Sequence, residues 1–468
     1  MEQNSVPLPS KYRLGIKRND MKKTTKTLMG VLILVSMMVT PTQARQWSLK
    51  DCIDYALQNN IQLQKTRINK LSAEEDVLQA QSALLPSLSA STNQNVAYRP
   101  WVASGMSTVA NGYVQSSVDK VYYNGSYGVN ANWTVWNGNQ NRNTVKLNKL
   151  AEQQAELDSA TTANSIQEQI AQLYVQILYS DEAIKVNRQS LETSKKNEER
   201  GKEMVNVGKM SKADLMQLTA QRAQDEYNIV AAESNLKNYK RQLKQLLQIT
   251  DNEEFDVAIP TTTDAQALAD IPSMVSVYNM ALANRPEIQN SKLAIESSEL
   301  NMKIAKAGSL PTIGLNASAG TNTTSMSNTA WGRQLKTNFD VGGGFTVSIP
   351  LFDNRKTKTA VNKAHLQHES ALLDLKDKQT QLYSTIENYW LDAVNNQEKY
   401  KAAKIAEESE QASYDLLSEQ FRLGLKNIIE LMTGKDKLLN AQQNVLQSKY
   451  LTILNQQMLK FYEGARME

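Results

Sequence analysis

The sequence predicts a mainly helical chain with a two-fold internal repeat, in which long coiled-coil hairpins are joined to four strands of a membrane β-barrel. Three observations support this fold class. Four landmarks occur twice in the same order, strand-like segments alternate between apolar and polar residues, and the segments between them are long and almost free of Gly and Pro. A repeat of this length indicates one large unit used twice, not a solenoid of short repeats.

The landmarks fix the extent of the duplication. Residues 56–60 match residues 281–285 and Pro86 matches Pro311, both at a separation of 225 positions. Trp136 matches Phe352 and Gly208 matches Gly424, both at 216 positions. The first copy therefore carries 9 extra residues between its Pro and its aromatic landmark, which we assign to a loop at about 99–121.

The N-terminus predicts a signal peptide. Basic residues follow Met21, residues 28–39 are apolar, and a small residue, Ala44, precedes the expected cleavage site, so residues 1–44 form an upstream extension and a cleaved signal. A signal anchor is the alternative, but a bilayer-spanning helix needs roughly 20 apolar residues. Residues 1–44 hold seven of the 52 Lys and Arg and two of the 48 Asp and Glu residues, so the rest has a net charge of −1 and gives no support for nucleic-acid binding.

The first repeat is predicted to cover residues 45–248. We expect helices at about 48–85, 137–207 and 211–248 and strands at about 87–98 and 122–136. Pro86 biases the residue before it away from helix, so the first helix should stop there. The long second helix extends roughly 100 Å at 1.5 Å per residue. Its return helix has a heptad rhythm, interrupted by the polar residues Arg222 and Asp225.

The second repeat is predicted to cover residues 274–463, after a linker at 249–273 that contains Pro260 and Pro272. We expect helices at about 275–309, 354–422 and 425–462 and strands at about 312–320 and 339–351, followed by a tail at 464–468. Two neighbouring apolar stripes on the last helix indicate packing partners on two sides.

The strands alternate with period two, which gives each strand two different faces. The apolar face is predicted to contact lipid through Tyr127, Val129, Trp133 and Val135 in the first copy and through Phe345, Val347 and Ile349 in the second. A soluble sandwich strand gives the same alternation, and the long helices favour the membrane barrel. Known closed barrels have about eight strands or more, and open edges are not tolerated in lipid. Several chains should therefore share one barrel.

Residues typical of an enzyme site are scarce. His365 and His368 are the two histidines, and no third metal ligand lies near them in the sequence. No phosphate loop or nucleophile motif is present, and Cys52, the single cysteine, is predicted to be half-buried in a helix. We expect no enzyme activity, no metal and no cofactor.

These features together resemble the TolC-like outer-membrane efflux protein family over essentially the whole mature chain. The matching motifs are residues 281–286, the Leu-Pro before each first strand, residues 349–354 and residues 421–424; a departure is Ile61, which stands where the second copy has Pro286. The resemblance implies a homotrimer with a shared 12-stranded barrel in the outer membrane and an α-helical tunnel in the periplasm. It also implies a periplasmic adaptor and an inner-membrane pump of the resistance-nodulation-division or ABC class.

The resemblance also suggests roles for the two helix tips. Phe421, Lys426 and Glu430 stand where the family often has aromatic, basic and acidic gate residues, and Asp214 is the first-copy equivalent of Glu430. A contact between Lys426 and Asp214 is the expected latch, whereas Thr433 replaces a second acid of some relatives. The alternative is that Asp214 and Glu430 are acids favoured by a helix N-terminus. The expected adaptor contacts are Val207, Gly208, Lys209, Leu423, Gly424 and Leu425.

The function predicted from the resemblance is a passive outer-membrane exit duct of a tripartite efflux pump for small molecules such as drugs or metabolites. A conduit for type I protein secretion is the alternative within the same class. A periplasmic coiled-coil adaptor or scaffold is the alternative from another class, but it would not explain two pairs of amphipathic strands.

Overall fold

The structure is a computed structural model that describes residues 46–101, 105–109, 112–116, 120–250, 255–260 and 264–467, with the backbone alone at 105–109 and 112–116. The described residues belong to one compact unit, so the two sequence repeats are not separate domains. The predicted signal peptide and its cleavage site after Ala44 lie outside the described residues.

The long helices and the four strands of the main sheet follow the same order in both repeats. The elements of the first repeat and the linker are β1 (Gln46–Trp47), α1 (Leu49–Asn59), α2 (Ile61–Ser82), β2 (Ser87–Tyr98), β3 (Gly105–Val109), β4 (Gly112–Ser116), β5 (Val121–Trp136), α3 (Gln140–Asn206), α4 (Lys212–Leu246), β6 (Asp256–Val257) and α5 (Asp264–Ala267). Those of the second repeat are α6 (Met274–Asn284), α7 (Pro286–Ala307), β7 (Thr312–Thr324), α8 (Trp331–Thr337), β8 (Asp340–Ser348), α9 (Lys356–Arg422) and α10 (Ile428–Tyr462).

The duplication predicted from the landmarks is confirmed by the helix lengths. The long helices α3 and α9 have 67 residues each, and the return helices α4 and α10 have 35 each. The shorter pairs also match, at 22 residues for α2 and α7 and 11 for α1 and α6. The two repeats therefore share one geometry in every principal helix.

The sequence predicts a break in the first helix near residues 59–60, and the structure has this break in both repeats. One residue with extended backbone separates the two helices, Asn60 in the first repeat and Arg285 in the second. The side chain of Asn60 accepts hydrogen bonds from the N–H groups of Gln62 and Leu63, which satisfies two free donors at the start of α2. In the second repeat Pro286 occupies the first helical position, where a missing N–H has no cost.

The same two residues join the short helices end to end. Asn60 Nδ2 donates to the carbonyl of Leu246 at the end of α4, with a distance of 3.0 Å. Arg285 instead places its guanidinium 4.0 Å from the ring centroid of Tyr462 at the end of α10, and it pairs with Glu168 of α3 at 2.8 Å. Each long helix is thus flanked by two shorter helices stacked through a polar residue at the joint.

The strands β2, β5, β7 and β8 form one antiparallel sheet in that order. The central pairing of β5 with β7 joins the two repeats, and β2 and β8 are the two edges. The single chain leaves this sheet open, as expected for a barrel completed by other chains.

A bulge in β5 changes the predicted faces of that strand. Thr134 pairs with Gly314 and Trp136 pairs with Ile313, so Val135 is the extra residue. Trp136, instead of Val135, takes the position opposite Ile313 because a bulge inserts one residue without a partner. Ile349 lies just beyond the end of β8, which is shorter than the predicted strand at 339–351.

The two loops between the strand pairs contain structure that alternation did not predict. The first, expected to be an irregular polar loop at about 99–121, holds the antiparallel hairpin of β3 and β4. The second holds the helix α8. β7 also continues to Thr324, four residues past the predicted end at 320. These loops distinguish the two repeats at the far end of the sheet.

The main apolar core lies where the stacked helices meet. Leu63 and Leu243, which flank the Asn60 joint, are almost fully buried in it, and Met467 of the C-terminal tail also packs there. Cys52 is completely buried, not half-buried as predicted, and burial raises the pKa of its thiol to about 12. The linker contributes to this core through β6, which pairs in parallel with β1.

Closer to the turns, the two hairpins pack through the same glycine–leucine pairing with the partners exchanged. A Cβ added to Gly201 on α3 would lie 2.6 Å from Leu218 Cδ1 on α4. A Cβ added to Gly434 on α10 would lie 2.7 Å from Leu417 Cδ1 on α9. Gly434 and Leu417 are the repeat equivalents of Leu218 and Gly201, at the 216-residue separation. In both hairpins a leucine thus fills the space beside a glycine, but the leucine lies on α4 in the first hairpin and on α9 in the second.

This exchange predicts a compensating pair of substitutions. Gly201→Leu should lower the midpoint of thermal unfolding because the new side chain collides with Leu218, an overpacking cost of about 1–3 kcal/mol. Adding Leu218→Gly should restore most of the midpoint, since it reproduces the arrangement of the other hairpin. Gly332→Ala, where an added Cβ meets nothing within 4 Å, is the control. A double variant less stable than Gly201→Leu would contradict the explanation.

Candidate functional site at the helix tips

The turns at the two tips have the same backbone structure. Gly208 and Gly424 have φ values of +73° and +77°, and nothing lies within 4 Å of a Cβ added to either. The N–H of Lys209 bonds the carbonyl of Met204, and the N–H of Leu425 bonds that of Gln420 in the same way. These are Schellman motifs, in which glycine is needed for its left-handed backbone and not for space.

Asp214 and Glu430 cap the helices that follow the turns. The Ser211 hydroxyl accepts from the Asp214 N–H at 3.0 Å and donates to its carboxylate at 2.8 Å. Asn427 and Glu430 form a reciprocal capping box at distances of 2.9 and 3.2 Å. Both acids therefore have the helix N-terminal environment that the alternative interpretation expected.

Lys426 binds within its own cap. Its Nζ donates to Glu430 Oε1 at 2.6 Å, four residues along the chain. The hydrogen bond from Lys426, with that of the Asn427 backbone, holds the pKa of Glu430 below its usual range. Within one chain, the expected latch partner Asp214 is held by Ser211 instead.

Phe421 lies inside the hairpin pair, not on its surface. Its side chain is 4% exposed. The cluster around it contains Leu218, Tyr414, Ile428, Leu431 and Leu438, with Met204, Met210 and Met432 at its margin. This small second core fixes the spacing of the four helices near the tips.

The remaining tip residues are uncovered. Val207, Leu423 and Leu425 are 67%, 59% and 71% exposed, and Gly208, Lys209 and Gly424 are exposed as well. The chain thus presents two apolar tips, one on each hairpin.

A buried ion pair crosses from one hairpin to the other above the tips. Lys435 of α10 binds the carboxylate of Asp225 of α4, and their side chains are only 5% and 2% exposed. The Ser194 hydroxyl of α3 donates to the same carboxylate at 2.6 Å. Beside it, Arg222 binds Glu198 at 2.7 Å, which joins α3 to α4. The sequence showed Arg222 and Asp225 as polar interruptions of the heptad rhythm, but nothing in the local pattern predicted their ion pairs or identified Lys435 as a partner.

The apolar face of the sheet is continuous across three strands. Register places Trp133, Leu315 and Phe345 side by side, and a shallow groove of about 440 Å³ runs over them. Of the predicted lipid-facing residues, Val129, Val347 and Phe345 are 43%, 48% and 73% exposed. Tyr127 differs, because Trp331 of α8 packs edge-on against its ring at 6.3 Å.

No helix of the described part is both long and apolar enough to cross a membrane. Across the same residues, no group of three His, Cys, Asp or Glu side chains could hold a metal ion. His368 shares a hydrogen bond of 2.8 Å with the Ser298 hydroxyl, which joins α9 to α7.

Comparison with known proteins shows which proteins this chain is similar to. The sequence model described as outer membrane efflux protein matches residues 52–247 and again residues 277–465, one match per repeat. The chain is 23% identical over 462 residues to the outer membrane protein TolC of Escherichia coli strain K12, covering 95% of this chain and 87% of that protein. It is 22% identical to the outer membrane efflux protein BepC of Brucella suis, covering 92% and 88%.

Solved structures share the fold. The outer-membrane protein CusC superimposes with a TM-score of 0.76 at 13% identity, covering 89% of this chain and 92% of that one. VceC of Vibrio cholerae gives a TM-score of 0.72 at 17% identity, covering 90% and 97%.

The buried pair at Lys435 predicts a large effect of removing one charge. Lys435→Met should destabilise the protein by about 3–5 kcal/mol because it leaves the Asp225 carboxylate buried and unpaired. The double variant Asp225→Leu/Lys435→Met should recover most of the loss. Unfolding in denaturant, followed by circular dichroism, measures both.

Lys401→Met is the matched control for this prediction. Lys401 pairs with Glu398 on the exposed surface of α9, where an ion pair contributes about 0–1 kcal/mol. If the double variant were as unstable as Lys435→Met, the unpaired charge would not be the cause.

Proposed function

The chain belongs to the outer membrane efflux protein family, and from this premise we propose that it is the passive exit duct of a tripartite efflux pump. Members of the family are outer-membrane channels, not enzymes, and they work as trimers with adaptor and inner-membrane partners. The cargo in this proposal is small molecules such as drugs or metabolites, passed from an inner-membrane transporter to the exterior.

One observation supports the duct most directly. Two 67-residue helices run without a break from an open sheet of four strands to uncovered turns. Three such chains would supply 12 strands, and six hairpins would line the path below them. An open sheet edge is not stable in lipid, so the barrel requires more than one chain.

The proposed partners follow from the two ends of the molecule. The apolar strand face, with Val129 and Phe345, would contact outer-membrane lipid. The tips, with Val207 and Leu425, would contact the periplasmic adaptor, which would connect to a pump of the resistance-nodulation-division or ABC class. Isolated exposed apolar side chains are ordinary, but clusters at both hairpin tips favour a protein partner.

The gate is proposed at the same tips. Charged side chains from symmetry-related chains at a constriction would bias permeation by charge. Lys426 would exchange its partner Glu430 for Asp214 of another hairpin as the channel closes. Phe421 would contribute indirectly, by holding the helices that carry these charges.

Type I protein secretion is a second candidate. The relatives include the alkaline protease secretion protein AprF of Pseudomonas aeruginosa, at 23% identity over 186 residues, and the toxin and drug export protein A of Aggregatibacter actinomycetemcomitans. Deleting the gene separates the two candidates. Efflux predicts that the cells accumulate fluorescent dyes and become drug-sensitive, whereas secretion predicts the loss of a protein from the culture medium with dye accumulation unchanged.

The gate proposal predicts that Lys426→Ala/Glu430→Ala raises single-channel conductance in a planar bilayer, because the closing contact is lost. Glu398→Ala/Lys401→Ala removes an equivalent exposed pair elsewhere on α9 and should leave conductance unchanged. Since the pKa of Glu430 is lowered from 4.5, its charge persists in mildly acidic solution. The Lys426–Glu430 contact of the open state should therefore persist in mildly acidic solution and be lost only as the pH falls through the lowered pKa of Glu430. Equal conductance of all variants would exclude the latch.

The adaptor proposal predicts that Leu425→Asp weakens capture of the periplasmic adaptor protein, because a charge would be buried in the apolar contact. Val275→Asp, which alters an equally exposed apolar residue on α6, should have little effect. Crosslinking in intact cells measures both. Unchanged crosslinking of Leu425→Asp would place the adaptor contact elsewhere.

A further inference from the structure

Four cations line one groove at the junction of the sheet and the helices. Arg142 and Lys146 come from the first turns of α3, and Lys303 and Lys306 come from the last turns of α7. The groove has a volume of about 420 Å³, and all four residues are exposed. Among the ion pairs of the described residues, none involves any of the four.

The position of two of these cations is electrostatically unfavourable without a partner. A helix N-terminus carries a partial positive charge, so it favours anions and disfavours Arg142 and Lys146. The first turn of α3 has no acidic residue to offset them. Lys303 and Lys306 approach from a different helix, which adds like charge to the same groove. A bound anion would offset the unfavourable charge at Arg142 and Lys146 and the mutual repulsion of the four cations, although the C-terminal end of α7 is itself favourable for Lys306.

The groove lies within a single chain. It is placed below the central strands β5 and β7, because α3 follows β5 and α7 precedes β7. The edges of the sheet through which chains would join are β2 and β8. The rest of the lining is Gly138, Asn139, Asn143, Ala307 and Leu310.

The groove also lies at the level where a membrane surface is expected. Trp136 ends β5 only two residues before Gly138, on the apolar face opposite Ile313. Tryptophan is enriched at the boundary between membrane and water, and basic clusters beside such a boundary attract anionic headgroups. We propose that the groove binds the phosphate of an anionic phospholipid in the periplasmic leaflet. This inference rests on the proposed barrel.

The second repeat does not reproduce the groove. Lys358 is the equivalent of Arg142, but Asn362 replaces Lys146. The pocket there is lined by Leu351, Phe352 and Asp353 in place of further cations. Among the described residues the chain therefore has one such basic groove, between α3 of the first repeat and α7 of the second, and three would surround a trimer.

Native mass spectrometry of the full-length protein in detergent tests the proposal, with phosphatidylglycerol and phosphatidylcholine of identical acyl chains as probes. The protein should retain phosphatidylglycerol preferentially. Lys303→Gln/Lys306→Gln should lower that retention roughly 25-fold, from about fivefold per cation near a membrane surface. Lys195→Gln/Lys196→Gln, which removes two lysines from α3 near the tips, should retain the lipid like the unmodified protein.

Three results would overturn the proposal. Equal retention of the two lipids would show that the groove does not recognise the anionic headgroup. Displacement of phosphatidylglycerol by millimolar inorganic phosphate would indicate a site for free anions. A change in the ion selectivity of the channel by Lys303→Gln/Lys306→Gln, with lipid retention unchanged, would place the groove in the conduction path. Conductance is measured separately in planar bilayers, so a failure to form channels would reject the proposed duct without deciding the lipid result.

Discussion

The rest of the structure depends on the joint at which two short helices meet end to end. A helix of 67 residues has to be covered along its whole length, and a partner of equal length would need a second unbroken run. The chain instead stacks α2 on α4 and α7 on α10, and the joints carry the buried polar residues Asn60 and Arg285. The main core surrounds these joints, because helix ends leave backbone groups that must be satisfied before apolar side chains can cover them. The linker strand, α1, α6 and the C-terminal tail all pack at this level.

The duplication preserved geometry while it changed the chemistry. The break before α2 is made by an Asn cap and the break before α7 by a proline. The close contact within each hairpin is made by glycine on one helix in the first repeat and on the other helix in the second. Such exchanges are tolerated because packing requires a total volume, and a helix start requires either an acceptor for its free N–H groups, as at Asn60, or one fewer such group, as at Pro286. The only charged pair buried between the hairpins among the described residues, Asp225–Lys435, has no repeat equivalent, since Ala441 and Thr219 stand at those positions. It therefore distinguishes one hairpin from the other.

Much of this arrangement could be predicted from the sequence, because long helices and alternating strands leave strong periodic signals. The repeat, the order of elements and the position of both turns were predicted from such signals. The features that were missed depend on partners distant in sequence. The bulge at Val135 is defined by pairing with β7, and Lys435 is buried only because Asp225 lies opposite it. Phe421 matches a gate motif in the sequence, yet the fold of the single chain encloses it in a small core. Val129 and Phe345 were predicted as lipid-facing from alternation, and both are exposed in the single chain.

The even number of strands that each chain contributes to the sheet has one more consequence. Each chain contributes four strands of alternating direction, so its two edge strands, β2 and β8, run in opposite directions. When β2 of one chain meets β8 of the next, the antiparallel order continues without interruption. This remains true for any number of chains, so strand direction alone places no limit on how many copies close the ring. The stoichiometry has to be set by other features, which include the tilt and stagger of the strands and the packing of α3 and α9 against neighbouring hairpins.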